Sequence, residues 1–347
     1  MDSIFNYTVK DLEQIIEAQD YKKYSASQVF DWIYKKKVYD FSLMSNISKD
    51  LRVFLSSLFT FDFPEIEKKE TSEDTTVKYL FNFRDSSKVE AVMMHQYYGN
   101  SLCVSSQVGC NMGCSFCASG LHKKARDLRA SEMVAMLLKV EDDLNEKVTH
   151  VVIMGTGEPL DNLDNVLKFI EIINAPKGLE IGIRHITLST SGIVPKIYEL
   201  EEKDLQINLA ISLHAPTNDL RNKLMPINKV YPVEDIIKAA KDYFDKTGRR
   251  ITFEYLMLKG VNDSILYADK LADLIHGMNC YVNLIPYNHV AEFNYDATDE
   301  KIQNIFFNQL KKRGINVTLR KRMGSDISAA CGQLRSDSIK KQNKQGR

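Results

Sequence analysis

The sequence lacks the features of a membrane-spanning or secreted protein. It has no run of about 18 apolar residues, which excludes an ordinary transmembrane helix. Its first residues, MDSIFNYTVKDLEQ, are acidic and amphipathic and do not resemble a signal peptide. Neither coiled-coil heptads nor a repeat array is present in the sequence. We therefore expect a cytoplasmic protein that has no membrane partner and acts as a monomer.

An excess of charge of either sign is also missing. The 347 residues include 46 Lys and Arg and 46 Asp and Glu, so the net charge gives no sign of a nucleic-acid partner. Basic residues are nevertheless concentrated near the C-terminus, where eleven Lys or Arg lie between Lys311 and Arg347. Residues 336–347 (SDSIKKQNKQGR) are polar and basic, and we expect a disordered tail that permits an RNA partner without demonstrating one.

Hydrophobic periodicity divides the rest of the chain into four parts. Residues 1–74 predict short helices and a linker, with one helix beginning at Thr8 and another where Ser25 and Gln28 have capping-box spacing. Residues 75–100 predict a β-extension. Residues 101–314 alternate between strand and helix patterns, and residues 315–335 contain a last strand followed by a loop.

The alternation in residues 101–314 indicates an α/β fold. Six strand-then-helix units imply a parallel sheet with right-handed crossovers, and six units are too few to close an eight-stranded barrel. We therefore expect a partial (βα)6 barrel. The predicted strands are 101–106, 150–154, 185–190, 207–213, 251–257 and 281–287, and the predicted helices are 129–144, 162–174, 195–203, 233–247, 264–277 and 299–313.

Chemically reactive or polar residues follow these strands. A cysteine cluster follows the first strand, GTGEP follows the second, Ser189 closes the third, SLH (212–214) closes the fourth and Asn288 follows the sixth. Ligands of parallel sheets bind at the carboxyl ends of the strands. The pattern therefore predicts one shared site.

Three of the six cysteines, Cys110, Cys114 and Cys117, are clustered as C-x3-C-x2-C. A cytosolic chain of this size with six cysteines is more typical of metal binding or catalysis than of a disulfide framework. Three thiolates on a [4Fe–4S] cluster leave one iron open to a substrate. A zinc ion with His122 as its fourth ligand is the alternative, but the spacing favours iron–sulfur. Cys103, Cys280 and Cys331 are scattered, and each alone is typical of a small buried apolar residue.

The cysteine spacing after the first barrel strand resembles the radical S-adenosylmethionine (SAM) superfamily. More specifically, the chain resembles the RlmN/Cfr family of RNA adenosine methyltransferases from about residue 75 to 335, with the helical N-terminal domain also present. The motifs that carry the resemblance are LCVSSQVGCNMGCSFCAS, MGTGEPLDN, LSTSG, ISLHAP, MPIN, VNLIPYN and DISAACGQL. Thr156 and His289 depart from the residues that are frequent in the family, Met and Pro.

This resemblance implies one [4Fe–4S] cluster on Cys110, Cys114 and Cys117, with SAM at its open iron. In the residues themselves, Gly155 and Gly157 would allow close approach of a ligand, and the Glu158 carboxylate suits the SAM ammonium group. The residues implied to contact SAM are Gly157, Glu158, Ser189, Ser212, Leu213, His214 and Asn288.

The resemblance also implies the catalytic residues. Cys331 matches a cysteine that carries a methyl group, and Cys103 matches a resolving cysteine that releases the methylated RNA by forming a disulfide with Cys331. Such a step follows ordinary thiol–disulfide exchange. Glu90 matches a residue that accepts the proton from the substituted adenine carbon.

The implied substrates are one adenosine in the peptidyl-transferase centre of 23S rRNA and the tRNA adenosine 3′ of the anticodon, both methylated at C2. The antibiotic-resistance branch methylates C8 and tends to have SSQCGC and GEA, whereas this chain has SSQVGC and GEP. The resemblance also implies that residues 1–74 form an accessory RNA-binding domain. It further implies that a small protein such as flavodoxin or ferredoxin is the electron donor. Tyr97, Tyr98 or Tyr287 could stack on RNA bases, and the basic stretch 121–129 could contact phosphates.

Two hypotheses from other classes are a radical SAM activase that makes a protein radical and a non-catalytic RNA-binding protein with structural zinc. Methylated Cys331 in purified protein would count against the first. A colourless protein with one zinc ion would support the second.

Overall fold

The computed structural model describes residues 1–329 and 331–334, so the predicted disordered tail at 336–347 lies outside the described residues. A ten-stranded sheet is the centre of the fold, and its strands lie side by side in chain order. The sheet is open, with the first and last strands at its two edges. The strands are β1 Glu65–Thr71, β2 Val77–Asn82, β3 Lys88–Gln96, β4 Gly99–Cys103, β5 His150–Ile153, β6 Ile186–Thr190, β7 Asn208–Ser212, β8 Ile251–Met257, β9 Cys280–Pro286 and β10 Val317–Leu319.

Strands β4 to β10 are all parallel, and helices connect them. This arrangement confirms the predicted partial barrel, and the predicted bounds of its strands and helices agree to within about three residues. An additional short helix, Asn218–Leu224, lies in the β7–β8 connection and was not predicted. The helices are α1 Val9–Glu17, α2 Tyr24–Phe30, α3 Lys49–Leu58, α4 Ala130–Leu144, α5 Leu163–Asn174, α6 Val194–Glu201, α7 Asn218–Leu224, α8 Val233–Thr247, α9 Ile265–Leu274 and α10 Glu300–Lys312.

Strands β1 to β4 form the antiparallel part of the sheet. The sequence predicted β2 and β3 but not β1, whose residues EIEKKET are mostly charged and largely exposed. Charged side chains are common on edge strands because they discourage pairing with other chains. The missed strand is therefore one whose sequence carries no hydrophobic alternation.

The N-terminal helices pack against the outer surface of the barrel. The first helix begins at Thr8, as predicted, and Thr8 also forms a complete capping box with Asp11, which was not predicted. The prediction for the second helix is wrong in its cap, because α2 begins at Tyr24 and Ser25 is buried inside it. Lys37 forms an ion pair with Asp142 on α4. None of the helices in the described part of the chain is long and apolar enough to cross a membrane.

Candidate active site

Two adjoining cavities are lined by the parallel strands and by the segments that follow them. The smaller cavity, of about 160 Å³, is lined by the three clustered cysteines and by residues at the carboxyl ends of β5, β6 and β7. The larger one, of about 630 Å³, extends from the same region to the amino ends of β6, β7 and β8. The residues that line both cavities are Met154, Glu254, Ile285, Arg320 and Cys331. Cys331 therefore lies where the two cavities meet.

The loop between β4 and α4 holds the three clustered cysteines. The Cys110 N–H donates a hydrogen bond to the His122 carbonyl oxygen (3.0 Å), and the Ser115 N–H donates to the Leu224 carbonyl oxygen (2.9 Å). Burial raises the pKa of all three cysteine thiols, to about 12 for Cys110. Buried thiols become metal ligands by exchanging a proton for a metal cation. A set of three such thiols around one cavity fits an iron–sulfur cluster.

His122 was the residue considered as a fourth ligand for a single zinc ion. Its carbonyl oxygen holds the cysteine loop, but His122 is not among the residues that line the smaller cavity. Within residues 1–329 and 331–334, no three His, Cys, Asp or Glu side chains are grouped as the ligands of one metal ion would be.

Gly155 and Gly157 follow β5 and pack against the segment that follows β4. A Cβ atom at Gly155 would lie 2.6 Å from Ser105 Oγ, and one at Gly157 would lie 2.7 Å from Gln107 Cβ. Gly157 also has a φ of +113°, a conformation that side chains disfavour. Packing within the chain therefore requires glycine at both positions, in addition to any approach of a ligand.

The Glu158 carboxylate is buried and lines the smaller cavity. One carboxylate oxygen accepts a hydrogen bond from the Leu160 N–H (3.1 Å) and the other from the Ser191 N–H (2.7 Å). Burial raises the pKa of Glu158, and within the described residues no cationic side chain forms an ion pair with it. A buried carboxylate held in this way is suited to a cationic ligand, because an ammonium group would supply the missing counter-charge.

The other residues predicted to contact SAM do not all line the same cavity. Ser189, Ser212 and His214 line the smaller cavity, and Asn288 lines the larger one. Leu213 lines neither cavity, and its backbone bridges to Glu254 and Arg221 instead. The structure thus brings most of the predicted residues together, while Leu213 has a supporting position.

His214 is held in one tautomer at the edge of the smaller cavity. Its Nδ1 accepts a hydrogen bond from the Leu256 N–H (3.0 Å), so the remaining proton is on Nε2. The ring packs edge-on against Phe116, with 4.9 Å between ring centroids. Burial, together with the nearby Arg221 cation, lowers the pKa of His214 to about 3. The imidazole is therefore neutral at pH 7.

A neutral buried histidine predicts a specific pH dependence of stability. The unfolded chain binds a proton at His214 near pH 6.5, whereas the folded protein does not until about pH 3. The stabilisation from His214 is therefore present above pH 6.5 and is lost as the pH falls. Between pH 6 and pH 4, wild-type apoprotein should lose about 1.4 kcal/mol per pH unit more than His214→Gln. Urea unfolding at several pH values measures this difference, and parallel curves for the two proteins would contradict it.

Cys103 and Cys331 lie along the wall of the larger cavity, and both thiols are free. Cys103 is the last residue of β4 and is buried, whereas Cys331 is half-buried in the loop after β10. Burial raises the pKa of Cys103 to about 12, with a further contribution from the nearby Cys331. Two cysteines that are 228 positions apart in the sequence thus share one cavity.

Glu90 lies on the strand face that borders the larger cavity, but it does not line the cavity itself. The cavity is lined by Val92, Met94 and Gln96, which lie on the same face of β3 as Glu90 because every second side chain of a strand points to the same side. The Glu90 carboxylate forms a buried ion pair with Lys78 (2.7 Å). Lys78 also donates a hydrogen bond to the Ser328 carbonyl oxygen (3.2 Å), three residues before Cys331. The pair therefore connects β2 and β3 to the Cys331 loop.

Arg221 is a site residue that the sequence did not reveal. Its guanidinium is completely buried between β6 and β7 and forms no ion pair within the described residues. It donates hydrogen bonds to four acceptors: the carbonyl oxygens of Ser191 (2.6 Å), Ser212 (3.0 Å) and Leu213 (3.1 Å), and Asn228 Oδ1 (3.1 Å). Arg221 thus joins three segments that border the smaller cavity.

Arg320 was missed as well, because in the sequence it belongs to a basic stretch near the C-terminus. Its backbone N–H donates to the Leu284 carbonyl oxygen (2.8 Å), which places the side chain beside both cavities. The negative charges that Cys331, Glu254 and Cys103 carry when ionised all raise the pKa of Arg320. In return, the guanidinium favours the thiolate form of Cys103.

Comparison with known proteins agrees with this geometry. Residues 104–271 match the family model of the radical SAM superfamily, and residues 3–60 match that of the ribosomal RNA large subunit methyltransferase N-terminal domain. A crystal structure of a radical SAM methyltransferase from Sphaerobacter thermophilus has a TM-score of 0.90 and 39% sequence identity, covering 96% of this chain and 99% of that one.

Two curated relatives are similar over nearly their whole length. A probable dual-specificity RNA methyltransferase RlmN from Geobacillus kaustophilus is 50% identical over 99% of this chain and 94% of that protein. One of the same name from Spiroplasma citri is 53% identical over 97% of this chain and 98% of that protein. With this identity, and with both its N-terminal and its radical SAM regions matched, the chain belongs to the RlmN family of the radical SAM superfamily.

Proposed function

We propose that this enzyme methylates C2 of one adenosine in 23S rRNA and of the tRNA adenosine 3′ of the anticodon. The observation that carries the proposal is the position of Cys331, where a cavity bordered by three thiols meets a second cavity that also contains Cys103. Relatives named dual-specificity RNA methyltransferases support two classes of RNA substrate. The motifs SSQVGC and GEP favour C2 over the C8 alternative.

As a radical SAM enzyme, the protein uses a [4Fe–4S] cluster and SAM. Cys110, Cys114 and Cys117 would hold the cluster, and Glu158, Ser189, Ser212 and His214 border the space next to it. When bound, the cluster and SAM supply one-electron chemistry, and SAM supplies the methyl group. The buried carboxylate of Glu158 would orient the ligand through its ammonium group.

The two isolated cysteines would act in sequence. Cys331 would carry the transferred methyl group as a thioether. One C–H bond of this methyl group would break, and its carbon would bond to C2 of the adenine while still attached to sulfur; the one-electron chemistry of bound SAM and the cluster would take up the hydrogen atom and the surplus electron. The Cys103 thiolate would attack the Cys331 sulfur, so that an S–S bond forms as the sulfur–carbon bond breaks, and the RNA-bound carbon would keep the electron pair and take up a proton to become the methyl group. Arg320, beside both thiols, would stabilise the thiolate that attacks.

Glu90 would accept the proton that leaves C2. Its ion pair with Lys78 favours the deprotonated carboxylate, which is the form a base requires. The carboxylate is on the same strand face as Val92 and Met94, which line the larger cavity. Its position suits a base that receives the proton once the substrate has entered.

Replacing Cys103 with alanine should stop the reaction after the new carbon–carbon bond has formed. Cys331 would remain attached to the RNA, because no second thiol can attack its sulfur. Denaturing gel electrophoresis should show a protein–RNA adduct that resists SDS, and methylated product should fall by at least about 100-fold. The double variant Cys103→Ala/Cys331→Ala is the control, since it should form no adduct. Normal release of methylated RNA by Cys103→Ala would contradict the assigned role.

Nucleoside mass spectrometry tests the proposed function directly. Anaerobically reconstituted protein would be incubated with SAM, a reductant and either an rRNA fragment or a tRNA, and the digested RNA compared with synthetic standards. We expect 2-methyladenosine from both RNAs. Formation of 8-methyladenosine would assign the chain to the other branch, and no methyladenosine from iron-loaded protein would contradict the proposal.

Several further properties follow as parts of the same proposal. A cytoplasmic location suits rRNA and tRNA substrates and thiols that must be kept reduced. We expect a monomer, residues 1–74 as an accessory RNA-binding domain, and a flavodoxin or ferredoxin as electron donor. Size-exclusion chromatography with light scattering and reduction assays with each donor would check these expectations.

A further inference from the structure

The larger cavity passes through the barrel along the parallel strands. At one end it is lined by Cys331 and Asn288, near the carboxyl ends of the strands. At the other end it is lined by Thr187, Asn208 and residues 248–250, at the amino ends of β6, β7 and β8. The smaller cavity, which fits the cluster and SAM, is confined to the carboxyl ends. The two cavities therefore leave the amino ends of the strands as a separate approach to Cys331.

The lining of this larger cavity is strongly basic, although the chain as a whole is neutral. Among residues 1–329 and 331–334, the one acidic residue that lines it is the buried Glu254. Its basic lining residues are Arg249 and Arg250, at the amino ends of the strands, and Arg320, Lys321 and Arg322, which follow β10 at the carboxyl ends. No ion pair involves any of these five side chains within the described residues. A groove with one sign of charge attracts a polyanion and raises its association rate. The charge is therefore complementary to an RNA backbone.

An exposed aromatic stack lies at the same end of the barrel. Tyr97 and Tyr98 are in the turn between β3 and β4, and Tyr98 lines the cavity. The rings of Tyr97 and Tyr98, and those of Tyr98 and His150, are each 5.0 Å apart, and His150 stacks on His185 at 4.2 Å. Tyr97 is 99% exposed. Exposed aromatic rings beside cationic side chains are the usual platform for unstacked nucleic-acid bases.

The basic stretch 121–129, at the opposite end of the barrel, is partly neutralised by ion pairs. In the basic stretch 121–129 beside the cysteine loop, Lys124 forms an ion pair with Asp161 (2.7 Å) and Arg126 forms one with Glu132 (2.8 Å). These two cations therefore have structural roles, which does not favour the predicted phosphate contacts for them. Lys123 is exposed in the same stretch and provides a matched comparison.

We propose that the substrate RNA reaches Cys331 from the amino-terminal end of the barrel strands, with its phosphates on Arg250 and its neighbours and an unstacked base on Tyr97 and Tyr98. This inference rests on the proposed function, since it assumes an RNA substrate. The base then enters on the side opposite to the cluster and SAM, and it meets Cys331 where the two cavities join. Arg250, which is exposed and lies over the Tyr281 ring at 3.6 Å, combines both modes of contact.

The test measures binding of a fluorescently labelled anticodon stem-loop RNA to reconstituted protein at several salt concentrations. Arg250→Glu should weaken binding about 10-fold and reduce the slope of log affinity against log salt by about one. Tyr97→Ala should weaken binding about 10-fold without changing this slope. Lys123→Glu, with the same charge reversal at the other end of the barrel, should change the affinity less than about two-fold. Arg250, Tyr97 and Lys123 are exposed, so circular dichroism should show unchanged folding.

Normal affinity of both Arg250→Glu and Tyr97→Ala, with weakened binding by Lys123→Glu, would overturn the inference and place the RNA at the carboxyl ends. Failure of the proposed function would be seen differently, as wild-type protein that forms no methyladenosine in the nucleoside assay. The two failures are therefore distinguishable.

Discussion

Replacing Cys331 with alanine should abolish the formation of methyladenosine while leaving the fold intact. The thiol is half-buried at the junction of the two cavities, so its removal leaves no nucleophile at that point. Cys103 cannot replace it, because Cys103 lines the larger cavity alone and not the smaller one, which fits the cluster and SAM. We expect product to fall by at least about 1,000-fold, as when other enzymes lose their nucleophile. Nucleoside mass spectrometry measures the loss.

Cys280→Ala is the matched control for this experiment. Cys280 is the first residue of β9 and is buried in the main hydrophobic core, and it lines neither cavity. Its replacement should cost about 1 kcal/mol in free energy of unfolding and leave methylation nearly unchanged. Substantial methylation by Cys331→Ala, in protein whose iron content matches wild type, would show that another group carries the methyl.

The barrel could be predicted because its periodic signals are local. Each parallel strand is a short apolar run followed by an amphipathic helix. The length of the apolar run identifies the strand, and the 3.6-residue period of the apolar residues identifies the helix. Once the sheet is parallel, its carboxyl ends must share one edge. This is why Gly157, Ser189 and Ser212, which are separated along the chain, could be assigned to one site from the sequence, and all three line the smaller cavity.

Elements with other signals were missed for identifiable reasons. Strand β1 is polar and exposed, so it has no hydrophobic alternation to detect. Ser25 has the spacing of a helix cap, yet α2 begins one residue earlier and buries it, which shows tertiary packing overriding a local signal.

The supporting residues of the site could not be predicted, because their roles depend on contacts between distant segments. Lys78 is an ordinary strand lysine in the sequence, but in the structure it is buried against Glu90 and the loop that holds Cys331. Arg320 belongs to a basic stretch in the sequence and lies beside two thiols in the fold. Family resemblance indicated Glu90, Cys103 and Cys331, whereas Lys78, Arg221 and Arg320 required three-dimensional contacts.

Arg221→Met should strongly destabilise the protein, and the magnitude follows from two opposing terms. Burial lowers the pKa of Arg221 to about 10, which corresponds to about 3 kcal/mol against the charged form. Four hydrogen bonds from a charged donor contribute about 1.5–3 kcal/mol each, so they exceed this cost. Methionine fills the space but leaves four buried acceptors without their donor. We expect a loss of about 3–5 kcal/mol in free energy of unfolding, measured by urea denaturation of the apoprotein.

The conservative variant Arg221→Lys separates charge from hydrogen-bond geometry. A lysine ammonium keeps the positive charge but concentrates three donors at one point, so it cannot reach acceptors on three different segments. Its stability should therefore be intermediate, and Lys223→Met, which changes an exposed cation of the same helix, should be nearly neutral. If Arg221→Lys were as stable as wild type, the positive charge alone would account for the stabilisation that Arg221 provides. The joining of the β6 and β7 ends through Arg221 would then contribute little, and the segments that border the smaller cavity would have to be held in place by their other contacts.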